Sequence, residues 1–383
     1  MRLKIIKYII GFSFPLLLIS CSGTKSMVGM EKVKEDSLYT EIRQIALETT
    51  KNNNVPGVAI AVIKNGKIVW TQCIGFADKE SQKPITTETV FNVGSISKMV
   101  SAWGFMQLTE KGLVKLDASV DQYLTRWKLP ASQYDISKVT FRRILSHTAG
   151  LSVHGYGGSE QGTKLLSLEE SLLGKTKRNG ESVHLISEPG SKWEYSGGGY
   201  TLAQLILEER TKEKFTDYMK KNVFKPLGLD HTNYEWTEDI MKNSATAYDV
   251  SGKPIKNRIF TEQAAAGLQT TVLDLAHFAE LSLSYEQKQL HNVLRLATVQ
   301  LMEKPVVPFS NQGKSGLGYR FMNYEGFETL GHTGENEGWS AALFMHLPTK
   351  CSIVILCNGS NGDRVWFPIY KSWLKRLNSV RAQ

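Results

Sequence analysis

The residues best suited to chemistry are a serine and a lysine three positions apart, Ser95 and Lys98, in the stretch FNVGSISK. A serine hydroxyl is a weak nucleophile until a neighbouring group takes its proton. A lysine can take it when burial or nearby positive charge lowers the lysine pKa. The same Ser-x-x-Lys spacing occurs at Ser22–Lys25 and Ser372–Lys375, so spacing alone does not identify a site.

The residues around each Ser-x-x-Lys pair distinguish the three pairs from one another. Ser95 follows a β-rich run and begins the apolar stretch ISKMVSAWGFMQLTEKG, which is typical of a helix ending near Gly112. A serine there gains the positive end of the helix dipole, and Lys98 lies on the same helical face. Ser22–Lys25 falls in a polar stretch. Ser372–Lys375 falls on an amphipathic terminal helix, where we expect it to face solvent.

Two further stretches offer a proton shuttle and donors for a developing oxyanion. Tyr195 and Ser196 precede three glycines and an apolar helix, in EYSGGGYTLAQLILEE. This pattern suits either a tyrosine facing a cleft or a Gly-rich loop with an aromatic in the core. His332, Thr333 and Gly334 lead into an apolar strand pair, where they could place a ring, a hydroxyl and a close-approaching backbone at a sheet edge. Taken alone, His332 could equally be a packing histidine.

The elements that must position these groups come from both ends of the chain. Residues 37–50 have helical spacing, and Asn65–Gly66 between two β-rich runs predicts a hairpin. Near the C-terminus, WSAALFMHLPTKCSIVILC reads as two strands, and RVWFPIYKSWLKRLN as a terminal amphipathic helix. From about 100 to 260 the chain is mainly helical. We predict an α/β (α+β) fold: an antiparallel sheet formed from both termini, flanked by helices, with an inserted, mainly helical lobe.

Together the motifs resemble the serine β-lactamase and penicillin-recognising enzyme superfamily. The likeness is to the group of class C β-lactamases, D-alanyl-D-alanine carboxypeptidases and family VIII esterases, and it implies a β-lactamase-like fold. It covers about residues 38–360 through phrases in the family's order: VPGVAIAVIKNGK, FNVGSISK, ILSHTAGL, VFKPLGLDHT, AAGLQTTVLDLAHFA, GLGY and GHTGENEGWSA.

The resemblance implies a role for each candidate residue. Ser95 would form the acyl-enzyme, and Lys98 and Tyr195 would share the acid–base work, with the acylation base left open. His332 stands where the family has Lys or His. The list of expected site residues is completed by the substrate-binding Thr333 and Gly334, by the oxyanion donors Ser95 N–H and Glu335 N–H, and by a structural His147.

One departure from the family concerns the tyrosine motif. The family usually has Tyr-x-Asn, and this chain has Tyr195-Ser196-Gly197. The asparagine hydrogen-bonds the substrate amide and the lysine, and glycine can do neither. A buried partner left without its hydrogen bond costs about 1–3 kcal/mol. The departure favours ester or unusual peptide substrates over efficient β-lactam turnover.

Three functions follow as alternatives. The first is a serine hydrolase that acts through an acyl-enzyme on a small ester or amide, such as a D-amino-acid peptide. The second is a β-lactamase, and the third is a non-catalytic module that binds cell-wall peptides or a protein. The presence of all of Ser95, Lys98 and Tyr195 argues against the third. The chain has no Gly-x-Ser-x-Gly elbow, no metal-ligand spacing and no nucleotide-binding glycine motif, so we expect no metal and no cofactor.

The N-terminus, MRLKIIKYIIGFSFPLLLISC, predicts a destination. Basic residues precede a short apolar run, which is typical of a secretory signal. The ending resembles a bacterial lipobox with Cys21 as the lipidated residue. An uncleaved anchor or an ordinary signal are the alternatives. We expect a signal peptide over 1–20, a tether over 21–36, and a hydrolase domain over 37–383, held on the bacterial cell envelope by a lipid.

Composition excludes some partners. The net charge is +9, but the basic residues are scattered, which disfavours nucleic acid. Beyond Cys21, the chain has Cys73, Cys351 and Cys357, each in an apolar strand-like run. They are too few for a disulfide framework, and we expect small buried hydrophobic residues. Nothing suggests an obligate interface, so we expect a monomer that meets a small-molecule or peptide substrate.

Overall fold

A nine-stranded antiparallel sheet organises the chain in this computed structural model, which describes residues 37–176, 180–283 and 292–381. The strands are β1 (Gly57–Lys64), β2 (Lys67–Asp78), β3 (Lys83–Pro84), β4 (Val90–Asn92), β5 (Ser159–Glu160), β6 (Ala247–Tyr248), β7 (Pro254–Ile255), β8 (Arg258–Ile259), β9 (Gln269–Thr271), β10 (Val307–Ser310), β11 (Gly313–Ser315), β12 (Arg320–Tyr324), β13 (Phe327–Asn336), β14 (Trp339–His346) and β15 (Cys351–Cys357). The large sheet has the order β10-β11-β12-β13-β14-β15-β1-β2-β3.

The junction of β1 with β15 joins the two ends of the chain within this sheet. Val58 lies opposite Cys357, and the pairing continues along both strands. The predicted hairpin connects β1 and β2, and its turn residues Asn65 and Gly66 have φ values of 53° and 68°. Positive φ at both positions matches the right-handed twist of the strands. The prediction of one antiparallel sheet built from both termini is confirmed.

Helices cover both faces of the sheet. They are α1 (Ser37–Asn52), α2 (Ile96–Glu110), α3 (Phe141–Leu145), α4 (Leu168–Leu172), α5 (Gly197–Thr211), α6 (Phe215–Met219), α7 (Lys225–Leu227), α8 (Glu238–Asn243), α9 (Gln263–Ala266), α10 (Val272–Leu283), α11 (Leu296–Met302) and α12 (Asp363–Arg381), with 3₁₀ turns at Val120–Tyr123, Ile136–Lys138 and Leu347–Thr349 and a π turn at Lys220–Phe224. Helices α1 and α12 pack on one face, and α10 and α2 on the other.

The segment between β3 and β10 is the mainly helical insertion that the sequence predicts. Its longest helices, α2 and α5, are buried on nearly every side. Helix α2 packs against α5, α9 and the strands β13 and β14, and α5 also packs against α9 and α3. Three small strand pairs, β4–β9, β5–β8 and β6–β7, tie its loops together. The insertion therefore carries two rigid helices whose N-termini both begin at motif residues, Ser95 and Ser196.

Some sequence expectations need correction or fall elsewhere. Ser372 does not face solvent: it is buried, and its hydroxyl donates to Glu41 at 2.9 Å, so it links α12 to α1. Cys351 and Cys357 are buried as expected, whereas Cys73 is only partly buried. The predicted signal peptide, lipidated Cys21 and tether lie outside the described residues. Within the described ranges, none of the helices has both the length and the apolar character needed to span a bilayer.

Truncation in the central strand tests this architecture. Ile60 on β1 is fully buried between the sheet and the α1/α12 layer. We expect Ile60→Ala to lower the free energy of unfolding by about 2–5 kcal/mol, because it leaves a cavity in the core. The matched change Val69→Ala, at a side chain 46% exposed on β2, should cost less than about 1 kcal/mol. Urea unfolding measures both, and equal losses would contradict the layer arrangement.

Candidate active site

Ser95 lies at the N-terminus of α2 with a free hydroxyl. Its backbone is already helical, with φ −68° and ψ −8°, and its side chain makes no capping hydrogen bond. The Lys98 Nζ lies 3.1 Å from the Ser95 Oγ. In the described residues no backbone acceptor is paired with the Ser95 N–H, as expected for the first turn of a helix. The serine therefore offers a nucleophilic oxygen and a backbone donor at one point.

Two glycines bring this helix end against the edge of the sheet. Gly94 has φ +50°, and a Cβ there would lie 2.5 Å from the backbone N of Glu335. A Cβ on Gly334 would overlap the carbonyl O of Val93 and lie 2.8 Å from the N of Ser95. Only glycine fits at both places. The N–H groups of Ser95 and Glu335 are thereby held beside each other, as the sequence predicts for an oxyanion hole.

Lys98 is buried with its ammonium group fixed from three sides. The residue is 2% exposed. Its Nζ donates to the carbonyl O of Ala265 at 2.7 Å as well as to Ser95 Oγ. It also lies 4.9 Å from the centre of the Tyr195 ring, within cation–π distance. No carboxylate touches Lys98 among the described residues, so the lysine is held by oxygen atoms and an aromatic face.

A network of polar groups fixes the start of α2. Ser97 Oγ donates to Gly94 O at 2.5 Å and accepts from Leu268 N–H at 2.9 Å. Asn92 Oδ1 accepts from Gly94 N–H at 3.0 Å. It also accepts from the Nδ2 of Asn336, at the end of β13, at 2.5 Å. The helix start is thus tied both to the loop before β9 and to the sheet.

Tyr195 is positioned by His147, which the sequence analysis assigned a structural role. The two rings are in contact, with centroids 4.3 Å apart and planes tilted by 33°. His147 Nδ1 accepts from Ser196 N–H at 3.1 Å, and the His147 carbonyl accepts from Glu194 N–H at 2.7 Å. His147 therefore binds the backbone on either side of Tyr195. Because its Nδ1 accepts a hydrogen bond, the His147 ring is neutral.

His332 is buried and neutral. Its Nδ1 lies 2.5 Å from the Thr333 carbonyl O, so Nδ1 carries the proton and Nε2 is an acceptor. In the described structure Nε2 has no hydrogen-bond partner. Burial first, and then the charges of Arg320 and Lys98, hold the pKa of His332 well below its usual value. Unlike a lysine at this position, His332 brings no positive charge to the site.

The charge comes instead from Arg320, which the sequence analysis missed. This residue begins β12, directly after the phrase GLGY. Its guanidinium lies 4.8 Å from the Phe309 ring and 6.0 Å from the Trp193 ring. It has no carboxylate partner, and its buried Nε has no hydrogen-bond partner, in the described part of the chain. A cation held between aromatic rings without a counter-ion is suited to bind an anionic ligand.

A cavity of about 410 Å³ gathers these groups. Its lining comprises Ser95, Lys98, His154, Gly155, Tyr156, Trp193, Tyr195, Ala265, Ala266, Arg320, His332, Thr333, Glu335 and Asn336. Six predicted site residues therefore line one cavity: Ser95, Lys98, Tyr195, His332, Thr333 and Glu335. Gly334 packs against the backbone of Val93. The described residues contain no cluster of His, Cys, Asp and Glu arranged to hold a metal ion.

The pH dependence of stability follows from the two neutral histidines. Burial, with Lys98 as the next cause, also holds the pKa of His147 well below its usual value. Below about pH 6.5 an unfolded histidine binds a proton, whereas these folded ones do so only at lower pH. The free energy of unfolding must therefore fall as pH falls from about 6.5.

Urea unfolding at pH 7.5, 6.5 and 5.5 measures this effect. We expect His332→Gln to show a shallower decline than the wild type, because it removes one of the two groups. The difference between the two proteins separates the histidine from carboxyl groups that titrate nearby. Parallel declines would show that His332 is not held neutral.

Comparison with known proteins places this site in a family. The family described as Beta-lactamase matches residues 42–368. Protein flp of Staphylococcus aureus is 23% identical over 330 residues, which are 83% of this chain and 62% of that protein. The chain thus spans less than two thirds of the length of that relative.

Solved structures share the fold. A penicillin-binding protein homologue from Pyrococcus abyssi, described as octameric, matches with a TM-score of 0.75 at 23% identity, over 88% of this chain and 77% of that one. A β-lactamase/D-alanine carboxypeptidase from Pseudomonas syringae matches with a TM-score of 0.72 at 19% identity, over 88% and 99%. The match over residues 42–368 shows that the chain belongs to the beta-lactamase family, whose chemistry is that of serine hydrolases.

Proposed function

We propose that this protein hydrolyses a small ester or amide, such as a D-amino-acid peptide, through a covalent acyl-enzyme on Ser95. The observation that carries the proposal is the 3.1 Å contact between Ser95 Oγ and Lys98 Nζ beside two backbone N–H groups. A nucleophile within reach of a proton acceptor, facing donors for an oxyanion, is the arrangement that acyl transfer requires. A module that only binds peptides has no need of it.

The proposed reaction runs in two steps. Ser95 Oγ attacks the substrate carbonyl carbon while its proton passes to a base that has already lost its own proton, either the amine of Lys98 or the phenolate of Tyr195 beside a charged Lys98. The carbonyl oxygen becomes an oxyanion between the N–H groups of Ser95 and Glu335. The bond to the leaving group then breaks, and the leaving group takes the proton. Water attacks the ester on Ser95, gives its proton to the same base, and releases the acid with the serine restored.

The charged groups support a substrate that carries a carboxylate. Arg320 and the half-buried Thr333 lie at one end of the catalytic cavity, and Arg320 has no protein counter-ion there. Neutral His332 can accept a hydrogen bond but adds no charge. A carboxylate on the leaving group would pair with Arg320 and Thr333, as the C-terminal carboxylate of a peptide could. A β-lactam also carries a carboxylate, so β-lactam hydrolysis is the second candidate.

Labelling of Ser95 tests the chemistry. We expect intact-protein mass spectrometry to show one acyl adduct after incubation with benzylpenicillin or with a p-nitrophenyl ester. Ser95→Ala should show none, because it removes the attacking oxygen. Ser372→Ala is the matched control, since it alters another Ser-x-x-Lys serine and should be labelled like the wild type.

The lifetime of the adduct separates the two candidates. A penicillin adduct that disappears within seconds supports the β-lactamase, and one that persists while the ester is turned over supports the ester or peptide hydrolase. Absence of any Ser95-dependent adduct with either reagent would overturn the proposed function.

The role of Arg320 is tested with a pair of esters. We expect Arg320→Gln to raise the KM for m-carboxyphenyl acetate by about tenfold or more, because a charge-assisted hydrogen bond is worth about 1.5–3 kcal/mol. The KM for neutral phenyl acetate should change far less. Lys314→Gln, at an exposed cation on β11 that pairs with Glu328, is the control for general charge. An equal effect on both esters would remove Arg320 from carboxylate binding.

A further inference from the structure

The ring of Tyr156 occupies the space beside Gly197, where the family's asparagine would begin. A Cβ at Gly197 would lie 3.3 and 3.4 Å from two ring carbons of Tyr156, and 3.2 Å from the carbonyl O of His154. Contacts of 3.2 and 3.3 Å are tighter than nine in ten of those that real Cβ atoms make, so the ring or the His154 carbonyl would have to shift by a few tenths of an ångström. The loss of the asparagine side chain and the presence of the tyrosine ring therefore belong to one local arrangement.

Hydrogen bonds hold the loop that carries Tyr156 against the start of α5. Gly197 N–H donates to His154 O at 3.1 Å, and Gly198 N–H donates to Val153 O at 3.0 Å. The Thr201 hydroxyl, one turn further along the helix, donates to the Tyr156 hydroxyl at 3.0 Å. The ring is therefore fixed at its base and at its tip, and its position is set by the same helix that carries the catalytic motif.

Tyr156 stands between two cavities. It lines the catalytic cavity of about 410 Å³ and also a second cavity of about 460 Å³. The second cavity is lined further by Ser159, Glu160, Leu166, Thr176, Arg258, Thr261 and Glu262 among others, and the buried Thr176 hydroxyl has no partner in the described residues. This second cavity therefore has both polar and apolar walls, with Leu166 and the Tyr156 ring among the apolar ones.

The relevant edge is the last part of β13, His332 to Asn336, which extends beyond the pairing of β13 with β12. The second cavity lies at one end of this edge. Arg258, in its lining, donates to Glu337 at 2.7 Å, just beyond the last residue of β13, Asn336. Arg320 and Thr333 lie toward the other end of that edge. A substrate laid along the edge, with its carbonyl between Ser95 N and Glu335 N, would point one part toward Arg320 and the other toward Tyr156.

We propose that Tyr156 is a specificity-determining residue that closes the acyl end of the catalytic cavity and restricts the enzyme to short acyl groups. The second cavity is the acyl-binding space that the ring shuts off. This inference rests on the proposed function, which places the carboxylate-bearing leaving group at Arg320 and hence the acyl group at Tyr156. The ring is rigid and tied to Thr201, so a longer acyl chain would have to displace it.

Acyl-chain selectivity tests the inference. The measurement is kcat/KM for p-nitrophenyl acetate, butanoate and hexanoate with the wild type, Tyr156→Ala and Tyr156→Phe. We expect Tyr156→Ala to raise the hexanoate-to-acetate ratio at least about tenfold, because a few methylenes gain a binding space. Tyr156→Phe keeps the ring and should keep the wild-type ratio. If the alanine variant does not fold, as judged by circular dichroism, Tyr156→Leu replaces it.

A second measurement uses the contact with Gly197. Gly197→Asn should lower acetate turnover in the wild-type background, because the new side chain meets the Tyr156 ring. The same change in the Tyr156→Ala background should cost less, which a double-mutant cycle detects as coupling. The opposite result, equal losses in both backgrounds, would show that the ring does not occupy this space.

The outcomes separate this inference from the proposed function. Ser95-dependent turnover with an unchanged acyl-chain ratio in both Tyr156→Ala and Tyr156→Leu would overturn the role of Tyr156 and leave the hydrolase standing. If Tyr156→Ala changes the relative kcat/KM of esters that differ in the leaving group but not of esters that differ in the acyl chain, Tyr156 contacts the leaving group and the inference is wrong. Turnover that persists in Ser95→Ala would overturn the proposed function itself.

Discussion

The close approach of two backbone segments, 93–95 and 334–335, is the constraint on which the rest of the site depends. Neither Gly94 nor Gly334 leaves room for a Cβ, and Gly94 also needs a positive φ. Their contact joins an element of the inserted lobe, the start of α2, to an element of the sheet, β13. The polar network of Asn92, Ser97 and Asn336 stabilises that junction. Without it the nucleophile and the Glu335 N–H would belong to separate parts of the fold.

Electrostatics follows from that geometry. Two cations, Lys98 and Arg320, lie at the cavity without a carboxylate partner among the described residues, and each is instead held against aromatic rings. Their charges and burial keep His147 and His332 neutral. Neutrality lets His147 accept a hydrogen bond from the backbone next to Tyr195. An excess of positive charge in a partly enclosed cavity favours the oxyanion that forms on the substrate and any carboxylate the substrate carries.

Local elements and the joining of the two termini in one sheet could be predicted from the sequence, whereas most side-chain contacts between distant segments could not. The hairpin at Asn65–Gly66 follows from the φ values that its turn demands, and the helix starting at Ser95 follows from its local apolar run. Strands β10 to β12 were not predicted, because segments this short show little of the alternation that identifies a strand. Arg320 was missed, and Tyr156 was not singled out within its loop, for a different reason. Each lies in a loop or at a strand start, and only the fold brings it within reach of residues more than ten positions away.

In the tyrosine motif, the residue placed for the proposed chemistry differs from the residue that shapes the wall of the cavity. Ser95 and Lys98 are placed by α2, and Tyr195 is held by His147, which binds the backbone of Ser196. None of these contacts uses a side chain at position 197, so a glycine there leaves the nucleophile in place. The glycine instead shapes the wall of the cavity, because it leaves room for the ring of Tyr156 against the helix. The fold thus holds the groups that the proposed acyl transfer needs, while in our inference a single aromatic ring decides how much acyl group can enter.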